Sequence, residues 1–257
     1  MPAFKQEKTI GRDLKRIHSI LEKLRYNAEL ICVDDGSPDD TFKEAKKAVK
    51  SLSNVEIVRY EVNKGKGYAV RFGMAKSKGD IIAFVDAGMD INPNGLSMLL
   101  EHFEWYGADI IVGSKRHPAS KVYYPWQRRI MSMCYQLFTR VLFGLKIKDT
   151  QVGIKFYKRE VLEKVLPRLL VKQFAFDIEI LAVANYLGFK RIYEGPIEME
   201  LQWGEKSSIT NKRFLHTVFR MIWDTIAVFY RLFILGYYAD RNKKNWVQDP
   251  DLFFSSH

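Results

Sequence analysis

An apolar run ends abruptly in paired carboxylates in Leu30-Ile31-Cys32-Val33-Asp34-Asp35-Gly36-Ser37-Pro38-Asp39-Asp40-Thr41. Acids at that junction fall at the C-terminal end of a strand, where open α/β sheets bind their ligands. Gly36 permits a turn that a Cβ would obstruct, and Ser37, Asp39, Asp40 and Thr41 are all helix N-cap types. Ordinary capping is therefore the other reading of the same residues. A second apolar run, Ile81 to Val85, ends in the same way at Asp86-Ala87-Gly88-Met89-Asp90. Between the two lies Asn63-Lys64-Gly65-Lys66-Gly67, a glycine-basic turn that matches neither the phosphate-binding loop nor the dinucleotide fingerprint. Ile110 to Lys148 contains no Asp or Glu, yet Lys115, Arg116, Lys121, Arg128, Arg129, Arg140, Lys146 and Lys148 all fall there. Such a stretch favours an anionic partner. Within it Arg128 and Ser132 stand four residues apart and share a helix face. Cations at a helix start oppose the macrodipole, so a bound anion would account for them; solvation or contact with acidic lipid is the alternative.

The elements that would position these groups follow from the spacing of apolar residues. Helices are predicted over Gly11–Leu24, Phe42–Leu52, Tyr68–Lys76 and Asn94–Tyr106. A further one runs through the acid-free stretch to Phe143, and another opens near Phe174 and ends near Gly188. Strands are predicted from Leu30, over Val55–Tyr60, Ile81–Val85 and Asp109–Gly113, with an extended segment over Lys190–Met199. From Lys212 to Tyr238 the chain is very apolar, and Arg213, Thr217, Arg220, Asp224 and Arg231 recur along one narrow stripe. That pattern suits a helix at a membrane interface, arginines near the phosphates; a core helix is the alternative. After Asp240 the tail is polar and expected to be loose.

A chain of 257 residues, 47% hydrophobic, can bury a substantial core. The expected division is one domain over 1–210, the amphipathic helix over 211–240 and the tail over 241–257. The 41 basic and 30 acidic residues leave a net charge of +11, pointing to phosphates or acidic lipid. Nucleic acid is not an expected partner, because no recognised binding element accompanies the charge. No uncharged apolar run of 18 residues predicts a transmembrane helix, and no signal peptide is recognised. Two cysteines, Cys32 and Cys134, make no disulfide framework, so a reducing compartment is expected.

Taken in order, these strings resemble the family-2 glycosyltransferases, inverting enzymes of the GT-A fold, and among them the dolichyl- and polyprenyl-phosphate glucose and mannose synthases. Leu30–Thr41 is similar to the family's Val-Asp-Asp-Gly-Ser-x-Asp-x-Thr signature. Asp149-Thr150-Gln151-Val152-Gly153-Ile154-Lys155 is similar to its Asp-Thr-Gln-x-Gly-Phe-Lys segment, with Ile154 in the Phe position. Pro2-Ala3-Phe4-Lys5-Gln6 resembles a Pro-Ala-Tyr-Asn-Glu segment, with Lys5 for Asn and Gln6 for Glu. In relatives an apolar strand precedes it; here that strand is missing, so either the start lies upstream, the favoured reading, or the sheet forms without it. Gln202-Trp203-Gly204-Glu205-Lys206-Ser207-Ser208 resembles a donor-covering loop with its Ser-Lys order inverted.

The resemblance implies an α/β GT-A fold, a mostly parallel sheet flanked by helices. It implies Pro2, Phe4, Gln6, Asp34, Asp35, Lys66, Asp86 and Lys206 around a nucleotide sugar, with Asp34 or Asp35 on its base and ribose. Asp86 and Asp90 would hold Mg²⁺ or Mn²⁺, although Gly88 replaces the family's second acid. One or two carboxylates beside phosphate oxygens satisfy Mg²⁺. Lys115, Arg128 and Ser132 would hold an acceptor phosphate, and Asp86 and Asp177 are the candidate catalytic groups. The expected reaction moves a hexose, from a donor of the UDP-glucose or GDP-mannose type, to a polyprenyl or dolichyl phosphate at the cytoplasmic face of a membrane. A phosphate monoester has a second pKa of about 6 and needs no general base at neutral pH. Transfer to a sugar hydroxyl would need one, with Asp177 and Glu179 the candidates; two residues apart, they do not face the same way. A non-catalytic nucleotide-sugar-binding relative is the third reading.

Overall fold

The computed structural model describes residues 1–88, 92, 94–122, 126–199, 212–246 and 249–254, without the side chains of 126–128 and 212–215. Asp90 and Lys206 lie outside the described residues, as does the side chain of Arg128.

Three short apolar runs, β1 (Pro2–Ala3), β2 (Leu30–Asp34) and β3 (Val55–Arg59), form a parallel sheet in the order β1-β2-β3. Strand β1 lies within the Pro2–Gln6 segment itself, which the sequence reading assigned to no strand. Pro2 and Ala3 pair with Val33 and Asp34, which sets the following loop beside the paired acids. Helix α1 (Ile10–Leu21) buries Ile10, Leu14, Ile17 and Ile20 at helical spacing, while α2 (Thr41–Ala48) starts in the acidic turn. Helix α3 (Lys66–Lys76) follows β3 and begins at the glycine-basic turn, two residues ahead of the predicted start.

A second sheet holds β4 (Ile81–Val85), followed in sequence by α4 (Gly95–Trp105) and β5 (Ile110–Ser114). Then come β6 (Lys121–Val122), α5 (Trp126–Phe143), β7 (Ile154–Lys158) and α6 (Arg159–Val165). Helix α7 (Phe176–Tyr186), β8 (Ile192–Pro196), β9 (Glu198–Met199) and α8 (Lys212–Phe229) complete the series. The strand order is β4-β7-β5-β8, with β7 antiparallel to both neighbours, and β6 pairs with β9 in parallel. Among the described residues four of the six strand pairings are parallel, which is the mostly parallel arrangement expected. Placing β7 beside β4 pairs Val85 with Ile154, so Asp86 and Gly153 meet at the edge of the site.

Helix α7 is buried from Phe176 to Ala184 and anchors one core cluster, which also takes in Val228, Leu232 and Tyr238. Helix α8 is therefore a core helix on one side and bears exposed apolar residues on the other. Thr225 and Val228, with Leu232 in the π-helical turn (Tyr230–Ile234) that continues α8, are buried, whereas Phe219, Trp223, Ile226, Tyr230 and Phe233 are exposed at alternating spacings of four and three. The neighbouring α5 exposes Ile130, Met133, Leu137 and Val141 in a stripe of its own. The two helices touch through Tyr135 Oη and Thr225 Oγ1 (2.9 Å) and through Phe143 and Phe229. Arg231, expected near lipid phosphates, instead turns inward to within 4.0 Å of Glu179. Among the described residues no helix is long and apolar enough to cross a membrane.

The tail is not loose over its described part. Trp246 is buried and donates from Nε1 to Tyr237 O (3.0 Å), and Leu252 is buried beside Tyr68 and Phe72. Its polar composition concealed these two apolar anchors.

Candidate active site

Asp86 sits one residue beyond β4, its backbone N–H donating to Gly153 O (2.8 Å). Gly153 leaves no room for a side chain: a Cβ there would overlap the Asp86 carboxylate. The following turn is fixed from the other side, because Gly88 N–H donates to Asp13 Oδ2 (3.1 Å) on α1. Gln6 lies over the same glycine, with Nε2 3.8 Å from where a Cβ would stand. Asp86 faces the cation of Lys66, whose Nζ lies 2.7 Å from Oδ2. Burial alone would lower the Lys66 pKa, but Asp86 and Asp177 outweigh it and hold the ammonium above its ordinary value.

Lys66 arrives from a turn that Asp35 organises. The Asp35 carboxylate accepts hydrogen bonds from Tyr60 Oη (2.7 Å), Asn63 Nδ2 (3.0 Å), Lys64 N (2.8 Å) and Gly65 N (3.1 Å). Gly65, with φ 97°, makes the corner from which α3 starts at Lys66. Asp35 is thus engaged in shaping the loop. Asp34 accepts from Ser37 N at Oδ1 (3.2 Å), while Oδ2 has no hydrogen bond and lies 3.4 Å from Arg59 Nε. The Phe4–Gln6 loop is tied to the same turn by Lys5 N–H to Ser37 Oγ (3.1 Å) and Gln6 N–H to Thr41 Oγ1 (2.7 Å). Phe4 itself is exposed. The two sequence-predicted loops therefore form one wall, with Pro2 behind it on β1.

Asp177, on the first turn of α7, is buried and bonded to the fully buried Lys155 of β7. Lys155 Nζ also donates to Val152 O (2.6 Å), one residue before Gly153. Burial raises the Asp177 carboxyl and lowers the Lys155 ammonium, each shift resisted by the charge of the other. Glu179 is buried too, accepting from Leu170 N (3.0 Å), Val171 N (2.9 Å) and Tyr238 Oη (2.7 Å). Both candidate general bases are engaged inside the protein.

The acid-free stretch behaves differently. Lys115 is drawn to the buried Asp149, its Nζ 3.5 Å from Oδ2. The next residue, Arg116, reaches α5 instead: Nη2 donates to Ser132 Oγ (3.0 Å) and Nη1 to Gln136 Oε1. These partners are neutral, so they orient the guanidinium without cancelling its charge. Sequence reasoning counted Arg116 in the basic run but assigned Lys115 and Ser132, not Arg116, to the acceptor phosphate. It passed over Asp13 and Lys155, whose roles depend on burial and long-range pairing that local spacing does not carry. Among the described residues no group of three or more His, Cys, Asp or Glu side chains is arranged to hold a metal ion.

Comparison with known proteins adds the following. The family model described as glycosyl transferase family 2 matches residues 1–166. The chain is 29% identical over 222 residues to a dolichyl-phosphate beta-glucosyltransferase of Dictyostelium discoideum, covering 83% of this chain and 65% of that one. It is 30% identical over 203 residues to a polyprenol monophosphomannose synthase of Mycolicibacterium smegmatis, covering 77% and 74%. The chain thus spans roughly two thirds to three quarters of the length of these relatives. Among solved structures, glucosyl-3-phosphoglycerate synthase of Mycobacterium tuberculosis, in complex with Mn²⁺, uridine diphosphate and phosphoglyceric acid, superposes with a TM-score of 0.64. That likeness, at 21% identity, covers 89% of this chain and 75% of the other. Mannosyl-3-phosphoglycerate synthase of Rubrobacter xylanophilus also gives 0.64, at 18% identity over 91% and 74%. The fold is GT-A.

Proposed function

Because the chain belongs to glycosyl transferase family 2, we propose that it moves a hexose from a nucleotide sugar to a polyprenyl or dolichyl phosphate, inverting the anomeric configuration. One observation carries the choice of acceptor. Asp177 and Glu179 are buried and engaged by internal partners, whereas the oriented guanidinium of Arg116 has neutral ones. A sugar hydroxyl needs a base that can reach it; an ionised phosphate needs cations. The names of the relatives support the same reading.

In this account the wall formed by Phe4–Gln6 and Asp34–Thr41 receives the base and ribose, with Lys66 and Asp86 at the diphosphate. Asp86 fits a divalent cation, because its carboxylate is presented at a strand end and already faces one cation, the Lys66 ammonium. Diphosphate oxygens and water would complete the coordination, with Asp90 a further candidate. Mg²⁺ or Mn²⁺ bound there would neutralise charge on the leaving diphosphate. Arg116, Ser132, Lys115 and Arg128 orient the acceptor phosphate, one of whose oxygens forms the new bond to the anomeric carbon as the bond to the diphosphate breaks. The protein supplies positioning and charge stabilisation. The exposed stripes of α5 and α8 would rest peripherally on the cytoplasmic face of a membrane, bringing the lipid acceptor to the site. Residues 1–210 act as the catalytic unit and 211–240 as the membrane-facing helix.

The test compares Arg128→Lys with the double change Lys155→Met/Asp177→Asn, which removes the buried pair without stranding either charge. Losing a bidentate charged hydrogen bond lowers transfer by roughly 10–100-fold, with donor binding unchanged. The double variant stays within about tenfold. The reverse pattern, with the Asp177 change abolishing transfer and Arg128→Lys harmless, would assign a sugar hydroxyl acceptor.

A further inference from the structure

Asp86 has the shorter tether and Lys66 the longer one. The Asp86 backbone is held by its N–H to Gly153 O, and its carboxylate lies against a glycine that leaves no space for a Cβ. Lys66 lies at the tip of a flexible side chain springing from the start of α3. Its ammonium sits 2.7 Å from Asp86 Oδ2, within the space a cation bound to that oxygen would need. Behind it, Lys155 neutralises Asp177, so the four groups Lys66, Asp86, Lys155 and Asp177 sum to zero charge. A divalent ion arriving alone meets a neutral cluster and a carboxylate that already has a partner.

We infer that Lys66 and the divalent cation compete for Asp86, and that a nucleoside diphosphate resolves the competition by drawing Lys66 off the carboxylate onto its phosphate oxygens. The inference rests on the proposed reading to the extent that the site takes a nucleoside diphosphate. Cation and nucleotide then bind cooperatively, although neither need touch the other's protein ligands first. Binding free energies are reciprocal, so the cation must tighten nucleotide binding by the same factor. Lysine suits this exchange because its charge is compact and its stem mobile.

The experiment follows free Mn²⁺ by its electron paramagnetic resonance signal, titrating the full chain with Mn²⁺ alone and with saturating UDP or GDP. The unaltered protein binds Mn²⁺ alone weakly and gains affinity with the nucleotide by a factor within the range of about 5–150 typical of coupled sites. Lys66→Met and Lys66→Gln, which free Asp86, bind Mn²⁺ alone at least fivefold more tightly, and their gain with nucleotide shrinks by the same factor. Lys66→Arg, which keeps a cation on the carboxylate, stays near the unaltered protein. If neither neutral variant gains affinity for Mn²⁺ alone, or if the full gain persists without the lysine, the inference is overturned. A protein that binds neither UDP nor GDP with Mn²⁺ present would instead overturn the functional reading beneath it.

Discussion

At the level of single residues, the position of Asp86 depends on what surrounds it more than on its own chemistry. Gly153 supplies both the carbonyl that receives the Asp86 N–H and the bare surface on which its carboxylate lies. Gly153→Ala must therefore push the carboxylate away, and a displacement near 1 Å costs about 100-fold in turnover. Gly95→Ala, at the first residue of α4 where nothing lies within 4 Å, serves as the control and leaves turnover unchanged. Steady-state assays with circular dichroism as a fold check compare the two. Equal, unaltered turnover in both would show that the placement of Asp86 does not matter. Asp86 itself was legible in the sequence because an acid ending an apolar strand is a local pattern. Its bond to Lys66 was not, since the two residues lie on different elements and only the folded sheet brings them together.

At the level of elements, α8 illustrates how an amphipathic pattern read from a sequence conflates two apolar surfaces. One side packs into the core through Thr225, Val228 and Leu232; another presents Phe219, Trp223 and Phe233 outward. The inward side is secured further along by Tyr238, whose hydroxyl donates to Glu179, and by Arg168, which donates from Nε to Tyr238 O (2.9 Å). Glu179 in turn accepts the N–H groups of Leu170 and Val171, so the C-terminal region braces the loop before α7. Losing most of an exposed aromatic side chain from a lipid contact costs about 1–3 kcal/mol. Trp223→Ser together with Phe233→Ser should accordingly weaken binding to phosphatidylserine-containing vesicles at least tenfold in a sedimentation assay. Binding by the unaltered chain should also fall as salt rises, since its basic surface is screened. Vesicle binding indifferent to both changes would place the membrane contact elsewhere.

Across the whole molecule, the order of the motifs was legible because each is a short string whose chemistry is local. Strands β2 and β3 and the helix between them follow from alternating apolar runs, whereas the two-residue β1 carries no such run. The antiparallel insertion of β7 between β4 and β5 was not legible: it pairs residues from Ile81 to Lys158, a separation that no local period encodes. That insertion brings Gly153 to Asp86 and Lys155 under the site, so the least legible strand contributes most to the geometry. The same long-range packing buries the acids that could have served as bases and brings Arg116, after β5, onto the neutral Ser132 and Gln136 of α5. The account stands or falls on what that guanidinium receives. The most direct measurement incubates the full chain with Mn²⁺, UDP-glucose or GDP-mannose, and a polyprenyl phosphate, then identifies the lipid product by mass spectrometry and its anomeric configuration by nuclear magnetic resonance. The account predicts a hexosyl polyprenyl phosphate, opposite in anomeric configuration to the donor and absent when EDTA replaces Mn²⁺. Hexose found only on a sugar hydroxyl, or nucleotide sugar bound and never transferred, would contradict it.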